Sequence, residues 1–453
     1  MDESDRRAAA DRARAMLPDL ADRGVTLVAV TWVDNSGVTR VKAVPLRRLP
    51  DVAAWGIGVS PCFDTFLFDD VAVTSGAVGD LRLHPDPSRL TVLAAQPGWA
   101  WAPGDRYEQS GEPHPVDQRS TAASTVAALN AHGLTARCAF EVEWVIAEDT
   151  QDFRPAATGP AYGQARLVSR SDYVRDVAAA LAEQGIAVDQ IHPEYSPGQF
   201  EVSVAATDPV GAADDSVLVR ETIRAVSRRH GLRVSFAPQV VLDGVGNGGH
   251  VHLSVWDGDR NLFAGGGGPF GLTEQGEAFT AGVLTHLPGL LAVGAPTTAS
   301  YLRLRPSRWA GAYAVWGLEN REAALRLVTG PTGSSPWAAN LEVKCFDLAA
   351  NPYLVVAALL AAGLAGMRSN ATLPDPVDVD PALLSDDEAR RRGIRLLPRT
   401  LAESADALAA DTVLARAFGE PLLAAILAVR RGEAARFADT DPAEIVDRTR
   451  WAF

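Results

Sequence analysis

The stretch FEVEW, residues 140–144, decides how this chain reads. In an extended strand successive side chains alternate between faces, so Glu141 and Glu143 share one side while Val142 and Trp144 take the other. Three further segments repeat the device. HVHLSVW (250–256) sets His250, His252 and Ser254 against Val251, Leu253 and Val255. LEVKCFD (341–347) puts Glu342 and Lys344 on one face, and PEYSPGQFEVS (193–203) holds Glu194 and Glu201 on either side of a Ser-Pro-Gly turn. The pattern predicts one sheet, apolar outside and acidic inside. A single pair fits a solvated strand face; four such segments in one chain call for more. Five carboxylates converging without cations would repel and resist ionising, and hard divalent ions are the usual means of keeping them charged. With His250 as the one imidazole, an oxygen-dominated set suits Mg²⁺ or Mn²⁺ better than Zn²⁺.

The complementary charge lies downstream. YLRLRPSRW (301–309) and GLENREAALRL (317–327) carry Arg303, Arg305, Arg308, Arg321 and Arg326. Guanidinium forks match phosphate and carboxylate oxygens. Arginines beside a multi-metal carboxylate site point to phosphoryl transfer, in which metals and fixed cations offset charge on the moving group. Other nucleotide signatures fail: GxxxxGK[ST] is missing, and GVGNGG (244–249) runs into a strand-like segment instead of a helix. No GxSxG elbow or CxxC pair occurs.

At 453 residues the chain accommodates a large domain and a smaller one. A net charge of −14 opposes binding to nucleic acid. Cys62, Cys138 and Cys345 are scattered and odd in number, as expected of a reducing cytoplasm. The N-terminus lacks the basic, apolar and small-residue order of a signal peptide. The apolar run from Tyr353 to Met367 is shorter than the roughly 20 residues a bilayer needs, so a buried helix is expected and no membrane partner. VTLVAVTWVD (25–34) and TRVKAVPL (39–46) form a hairpin about Asn35-Ser36-Gly37. Proline and glycine are dense from Pro85 to Pro115, which predicts domains over 1–115 and 116–453. Helices are expected over 120–133, 169–185 and 213–231, each closing on glycine, and short strands between them give an α+β layout. FAGGGGPFG (263–271) reads as a mobile loop.

Taken in order and spacing, FEVEW, EYSPGQFE, NGGHVHLS, ENREAALR and LEVKCFDLAANPYL resemble the signature series of the glutamine synthetase family. The resemblance implies a β-grasp-like N-terminal domain and a catalytic domain whose curved antiparallel sheet, backed by helices, forms a bifunnel for ATP and glutamate. It implies that Glu143, Glu194 and Glu201 hold one metal ion, and Glu141, His250 and Glu342 a second on the ATP phosphates. Arg321 and Arg326 would meet the phosphates, Ser254 and Trp256 would lie near the nucleotide, and Arg303 would bind substrate carboxylate. Asn247 and Gly248 would cradle the glutamate backbone, and Lys344 stands where a glutamate-binding arginine is usual. A homo-oligomer built from rings, a dodecamer by resemblance, is expected, with the N-terminal domain completing a neighbour's site.

Two departures bear on the nucleophile. Ser60, in GIGVSPCF (56–63), and Trp309, in RLRPSRWAG, stand where ammonium-using enzymes of the family carry acids. Without those anions a larger, less charged amine site is expected, walled by Trp309 and Phe63. The first reading is an ATP-dependent glutamate–amine ligase acting through a γ-glutamyl phosphate on an organic amine. An ordinary glutamine synthetase is second, and a non-catalytic relative in assembly or nitrogen sensing is third; six retained metal ligands speak against the last.

Overall fold

The computed structural model describes residues 1–74 and 78–453. Its first sheet comprises β1 (Leu27–Val33), β2 (Thr39–Pro45), β3 (Ile57–Val59), β4 (Leu81–Pro85), β5 (Thr91–Val92) and β6 (Trp99–Tyr107). The order is β2-β1-β6-β4-β3, with β5 also on β6, and β6 runs parallel to β1. That is the β-grasp-like arrangement expected. The hairpin turn closes because the Asp34 carboxylate accepts from the Ser36 and Val38 amides at 2.9 and 3.0 Å, while Gly37 takes a φ of 79°. Helices Glu3–Asp22 and Leu49–Trp55 cover the sheet, and Val28, Val30, Leu49 and Leu83 are completely buried.

The hairpin turn is gripped from the C-terminal part of the chain. Asn351 donates to the carbonyls of Val33 and Asp34 at 3.0 and 3.1 Å, and Arg430 donates to that of Asn35 at 2.7 Å. A Cβ on Gly37 would sit 1.8 Å from the carbonyl oxygen of Ala349, so only glycine fits there.

The acidic wall belongs to two sheets, which corrects the expectation of one. β8 (Val142–Glu148), β9 (Val188–Pro193), β10 (Gln199–Val204) and β11 (Leu232–Ser235) form an antiparallel sheet in the order β11-β8-β10-β9. The other holds β7 (Leu134–Phe140), β12 (Val251–Asp257), β13 (Arg260–Asn261), β14 (Tyr313–Leu318), β15 (Ala323–Val328) and β16 (Asn340–Val343). Its order is β13-β12-β16-β15-β14 with β7 on β12, and its β14–β15 pair is parallel. The chain passes between the sheets at Glu141, the single residue separating β7 from β8. A period-two pattern cannot report that switch, because the alternation continues through it.

Helices back both sheets. Trp144 stacks on Phe200 at 6.0 Å and donates to the Tyr173 hydroxyl at 2.9 Å, all buried against helices Ser171–Glu183 and Pro209–Arg229. The latter starts before the expected residue 213, because Asp208 caps it by accepting from the Gly211 amide and Pro209 suits its first turn. Helix Pro352–Ser369, the expected buried one, packs on helix Glu274–Gly294, and a Cβ on Gly363 would meet the Phe279 ring at 2.1 Å. The glycine-rich segment is held in hydrogen-bonded turns: Gly266 donates to the Gly271 carbonyl at 2.8 Å and Gly268 to that of Leu272 at 2.9 Å.

Candidate active site

The two sheets enclose a cavity of about 950 Å³ whose walls include Glu141, Glu143, Glu194, Glu201, His250 and Glu342, the six predicted metal ligands. Strand alternation delivers them. Glu143 faces Glu201 across β8 and β10, and His252 faces Glu342 across β12 and β16. Five of the six are largely buried, Glu141 somewhat less.

The spacing sorts the donors into three groups. Glu141, Glu143 and His250 form one, Glu141, His252 and Glu342 a second, and His192, Glu194 and Glu201 a third, each with donor atoms within 4.8 Å of one another. The His250 Nδ1 is 2.6 Å from Glu141 and 3.5 Å from Glu342, and the His192 Nε2 is 3.2 Å from Glu201. The Glu143 Oε2 accepts from the Gln199 side chain and the Gly248 amide, both at 2.9 Å. His192 and His252 are donors outside the predicted set. Each lies two residues from a predicted ligand on the same strand face, and that spacing was their signal.

The electrostatics test whether a divalent ion suits these residues. Burial, with Glu141, Glu143 and Glu194 nearby, pushes the Glu201 carboxyl up to about 11, and burial likewise raises Glu143. Burial acts on Glu141 too, but the imidazoles of His250 and His252 outweigh it and hold that carboxyl well below its usual range. Carboxylates forced towards protonation by one another are what a hard cation relieves, so the donor set fits a divalent metal ion.

Cations line the same cavity. Arg303, Arg308, Arg321 and Arg326 reach the cavity with Lys344. Arg303 is buried, donates to the Lys344 carbonyl at 3.1 Å and lies 3.2 Å from the His250 Nε2, and its Nη1 has no hydrogen-bond partner. Arg326 pairs with Glu342 at 2.9 Å and with Glu319. Arg321 is exposed and makes no ion pair among the described residues. Ser254 and Trp256 sit together on the cavity wall, the indole donating to the hydroxyl at 2.9 Å, with Arg137 over the indole face at 4.3 Å. Trp337, two-thirds exposed, also lines the cavity and carries no signal in the sequence pattern.

Four predicted substrate residues lie outside the cavity. Asn247 is completely buried, donating to the Ala237 carbonyl at 3.0 Å and accepting from Gln199 at 3.1 Å, so it braces the loop whose Val245 and Gly246 form the wall. Gly248 gives its amide to Glu143. Ser60 accepts from the Cys62 amide at 3.3 Å, and Phe63 packs edge-on against Trp32 at 5.5 Å; both belong to the N-terminal sheet region. Trp309 does line the cavity, but its partner is Tyr195 and not Phe63: the rings stack at 4.6 Å with an 18° interplanar angle. Tyr162 follows, 5.4 Å from Tyr195 and 5.2 Å from His192, with its hydroxyl on Glu194. The single tyrosines were not distinguishable in the sequence from packing residues.

The model of the glutamine synthetase catalytic domain matches residues 115–446. The chain belongs to the glutamine synthetase family. It is 54% identical over 451 residues to the γ-glutamylpolyamine synthetase GlnA3 of Streptomyces coelicolor, covering 98% of this chain and 97% of that one. It is 31% identical to the glutamine synthetase of Methanocaldococcus jannaschii, over 90% of this chain and 91% of the relative. Among solved structures, a novel glutamine synthase homologue superposes with a TM-score of 0.85 at 34% identity, covering 95% and 99% of the two chains. GmaS in complex with ADP gives 0.82 at 30% identity, covering 94% and 97%. The fold is thus that of glutamine synthetases, and the chain is an ATP-dependent carbon–nitrogen ligase.

Proposed function

We propose that this glutamine synthetase relative joins glutamate to an organic amine, with residues 1–115 and 116–453 as its two domains and a ring-built oligomer as its working form. The observation that carries the reading is Trp309: an indole stacked on Tyr195 occupies the flap, residues 305–311, at the position where ammonium-using enzymes of the family carry an acid. Free ammonia is scarce near neutral pH, so its capture requires anions that gather the cation and remove a proton. An indole face attracts a cation by only about 0.5–2 kcal/mol and removes no proton. An organic amine brings carbon surface that such a wall can bind. The 54% identical relative is named for polyamines, and a polyamine is the first amine to try.

In the proposed reaction an oxygen of the γ-carboxylate attacks the terminal phosphorus of ATP, ADP leaves, and an acyl phosphate forms. The amine, which like ammonium must first give up a proton to solvent or to a cavity carboxylate, then attacks the acyl carbon with its free nitrogen; the C–O bond breaks, and the departing phosphate takes up the nitrogen's remaining extra proton. Bound Mg²⁺ or Mn²⁺, held by Glu141, Glu143, Glu194, Glu201, His250 and Glu342, with His192 and His252 at hand, would offset charge on the phosphates and polarise the carboxylate. Arg321 and Arg326 meet the phosphates, and fixed cations there stabilise charge that grows in the transition state. Arg303, whose Nη1 is unpartnered, binds the substrate carboxylate together with Lys344. Ser254 and Trp256 hold the nucleotide. Ser60 and Phe63 would come from a neighbouring subunit, which accounts for their distance from the cavity of their own chain.

The test is phosphate release from ATP at saturating glutamate over a panel of amines. At least one alkylamine, hydroxyalkylamine or polyamine is expected to outpace ammonium at equal concentration. Ammonium as the best substrate would restore plain glutamine synthesis, and no release with any amine would favour a non-catalytic relative.

A further inference from the structure

The flap that carries Trp309 is held in an unfavourable backbone conformation by contacts from outside the cavity. Ser307, Trp309 and Gly311 all adopt left-handed backbone conformations, with φ of 56°, 56° and 69°. For the serine and the tryptophan that conformation is unfavourable, and it persists only where surrounding contacts impose it. Those contacts are visible. The Trp309 amide donates to the Glu322 Oε1 at 2.8 Å, and the Ser307 hydroxyl donates to Asp380 at 2.7 Å. Glu322 is buried, and its Oε2 has no hydrogen-bond partner. Its own amide is anchored on Asn320 at 2.9 Å, which in turn donates to the carbonyls of Val377 and Val379. A buried carboxylate with an idle oxygen is costly to keep unless its other oxygen serves something.

What it serves is the ring stack. The Tyr195 backbone amide donates to Glu194 at 3.0 Å, which ties this residue to a carboxylate of the proposed metal site, and its ring packs against Tyr162 at 5.4 Å. Trp309, fixed by Glu322, lies on that ring. The two stack face to face yet remain 40% and 41% exposed, and both line the cavity. An amine reacting beside Glu194 would trail its carbon chain along that surface.

We propose that Tyr195 is a specificity-determining residue and Glu322 a positioning residue. Glu322 fixes the Trp309 backbone so that its indole lies on Tyr195, and the stacked pair is the wall that reads the amine's carbon chain. The proposal rests on the amine-ligase reading and deepens it to chain length: each methylene the wall covers strengthens binding about fourfold. Formation of the acyl phosphate does not use the wall. Glu322 acts through one oxygen as an acceptor, so the amide oxygen of glutamine can replace it.

The experiment compares ethylamine with n-butylamine in phosphate-release assays on the full-length protein and on Tyr195→Ala, Trp309→Ala, Glu322→Ala and Glu322→Gln. In the first three variants the KM for butylamine is expected to rise about tenfold, that for ethylamine far less, with kcat and the KM for ATP unchanged. Glu322→Gln is expected to stay within about twofold of the parent, since it keeps the acceptor. An unchanged butylamine-to-ethylamine KM ratio in both Tyr195→Ala and Trp309→Ala overturns the wall. Equal damage from Glu322→Gln and Glu322→Ala overturns the positioning role, because charge would then be what matters. A parent enzyme that prefers ammonium to both amines overturns the ligase reading and the wall with it, whereas amine preference with an unchanged ratio overturns the wall alone.

Discussion

The ammonium of Lys344 lies 3.1 Å from the carboxylate of Glu342, two residues back on the same strand face. Arg326 takes the other oxygen of that carboxylate at 2.9 Å. Burial alone would raise the Glu342 pKa, but Lys344, with His252 and His250, outweighs it and brings the group down to about 2. Lys344→Met removes one of those cations. Stripping a partner from a buried ion pair commonly costs about 3–5 kcal/mol. A divalent ion on Glu342 would supply the missing charge, so the loss in Tm should be clearly smaller with Mg²⁺ than in chelator. Equal losses in the two conditions would remove Glu342 from the metal site.

Metal dependence follows from the carboxylates that burial and mutual repulsion drive towards protonation. Phosphate release should stop in chelator and return with Mg²⁺ or Mn²⁺. In Glu143→Ala or Glu342→Ala the added metal should not restore it. Full turnover in chelator would show that these acids have another task.

Arg321 and Arg326 should separate by phenotype. Arg326 is tied to two carboxylates, while Arg321 has no ion pair among the described residues. Removing one electrostatic contact to a developing charge costs about 10²–10³ in rate. Arg321→Ala should therefore lower kcat/KM for ATP by that order with its melting temperature unchanged, and Arg326→Ala should lower both. Normal kinetics in Arg321→Ala would mark it as a surface residue.

His84 gives the N-terminal sheet a pH dependence of its own. It is buried against the Ala53 carbonyl at 3.1 Å, and chiefly burial, then Arg82, lowers its pKa from 6.5 to about 4. A folded pKa below the unfolded one means that the folded state resists protonation. The stabilisation is therefore complete above pH 6.5 and is lost as pH falls towards 4. Between about pH 7 and pH 5 the native protein should lose about 2 kcal/mol that His84→Gln does not lose, read from urea midpoints at the two pH values. Parallel losses in both proteins would place the titrating group elsewhere.

Much of this was legible because strand alternation is a strict rule. It brought Glu141, Glu143, Glu342, Lys344, His250 and Ser254 to one cavity from three separated segments. It failed where geometry depends on partners the pattern does not name. The change of sheet at Glu141 leaves the alternation intact. Asn247 sits in a glycine-rich loop without periodicity, so whether its side chain faces the cavity or the Ala237 carbonyl could not be read. Tyr195 acquires its meaning only from Trp309, more than a hundred residues away, and Glu322 reads as an ordinary acid beside Arg321 until its bond to the flap is seen.

The grip on the hairpin turn at Gly37 settles where this molecule is able to move. With the Ala349 carbonyl against that glycine, and Asn351 and Arg430 holding the carbonyls of Val33, Asp34 and Asn35, the N-terminal sheet is pinned to the catalytic part of the chain. The segment around Trp309 is tied down more lightly, by two side-chain hydrogen bonds and one ring stack, so what yields first when the molecule flexes is the amine wall and not the seam between the N-terminal and catalytic sheets.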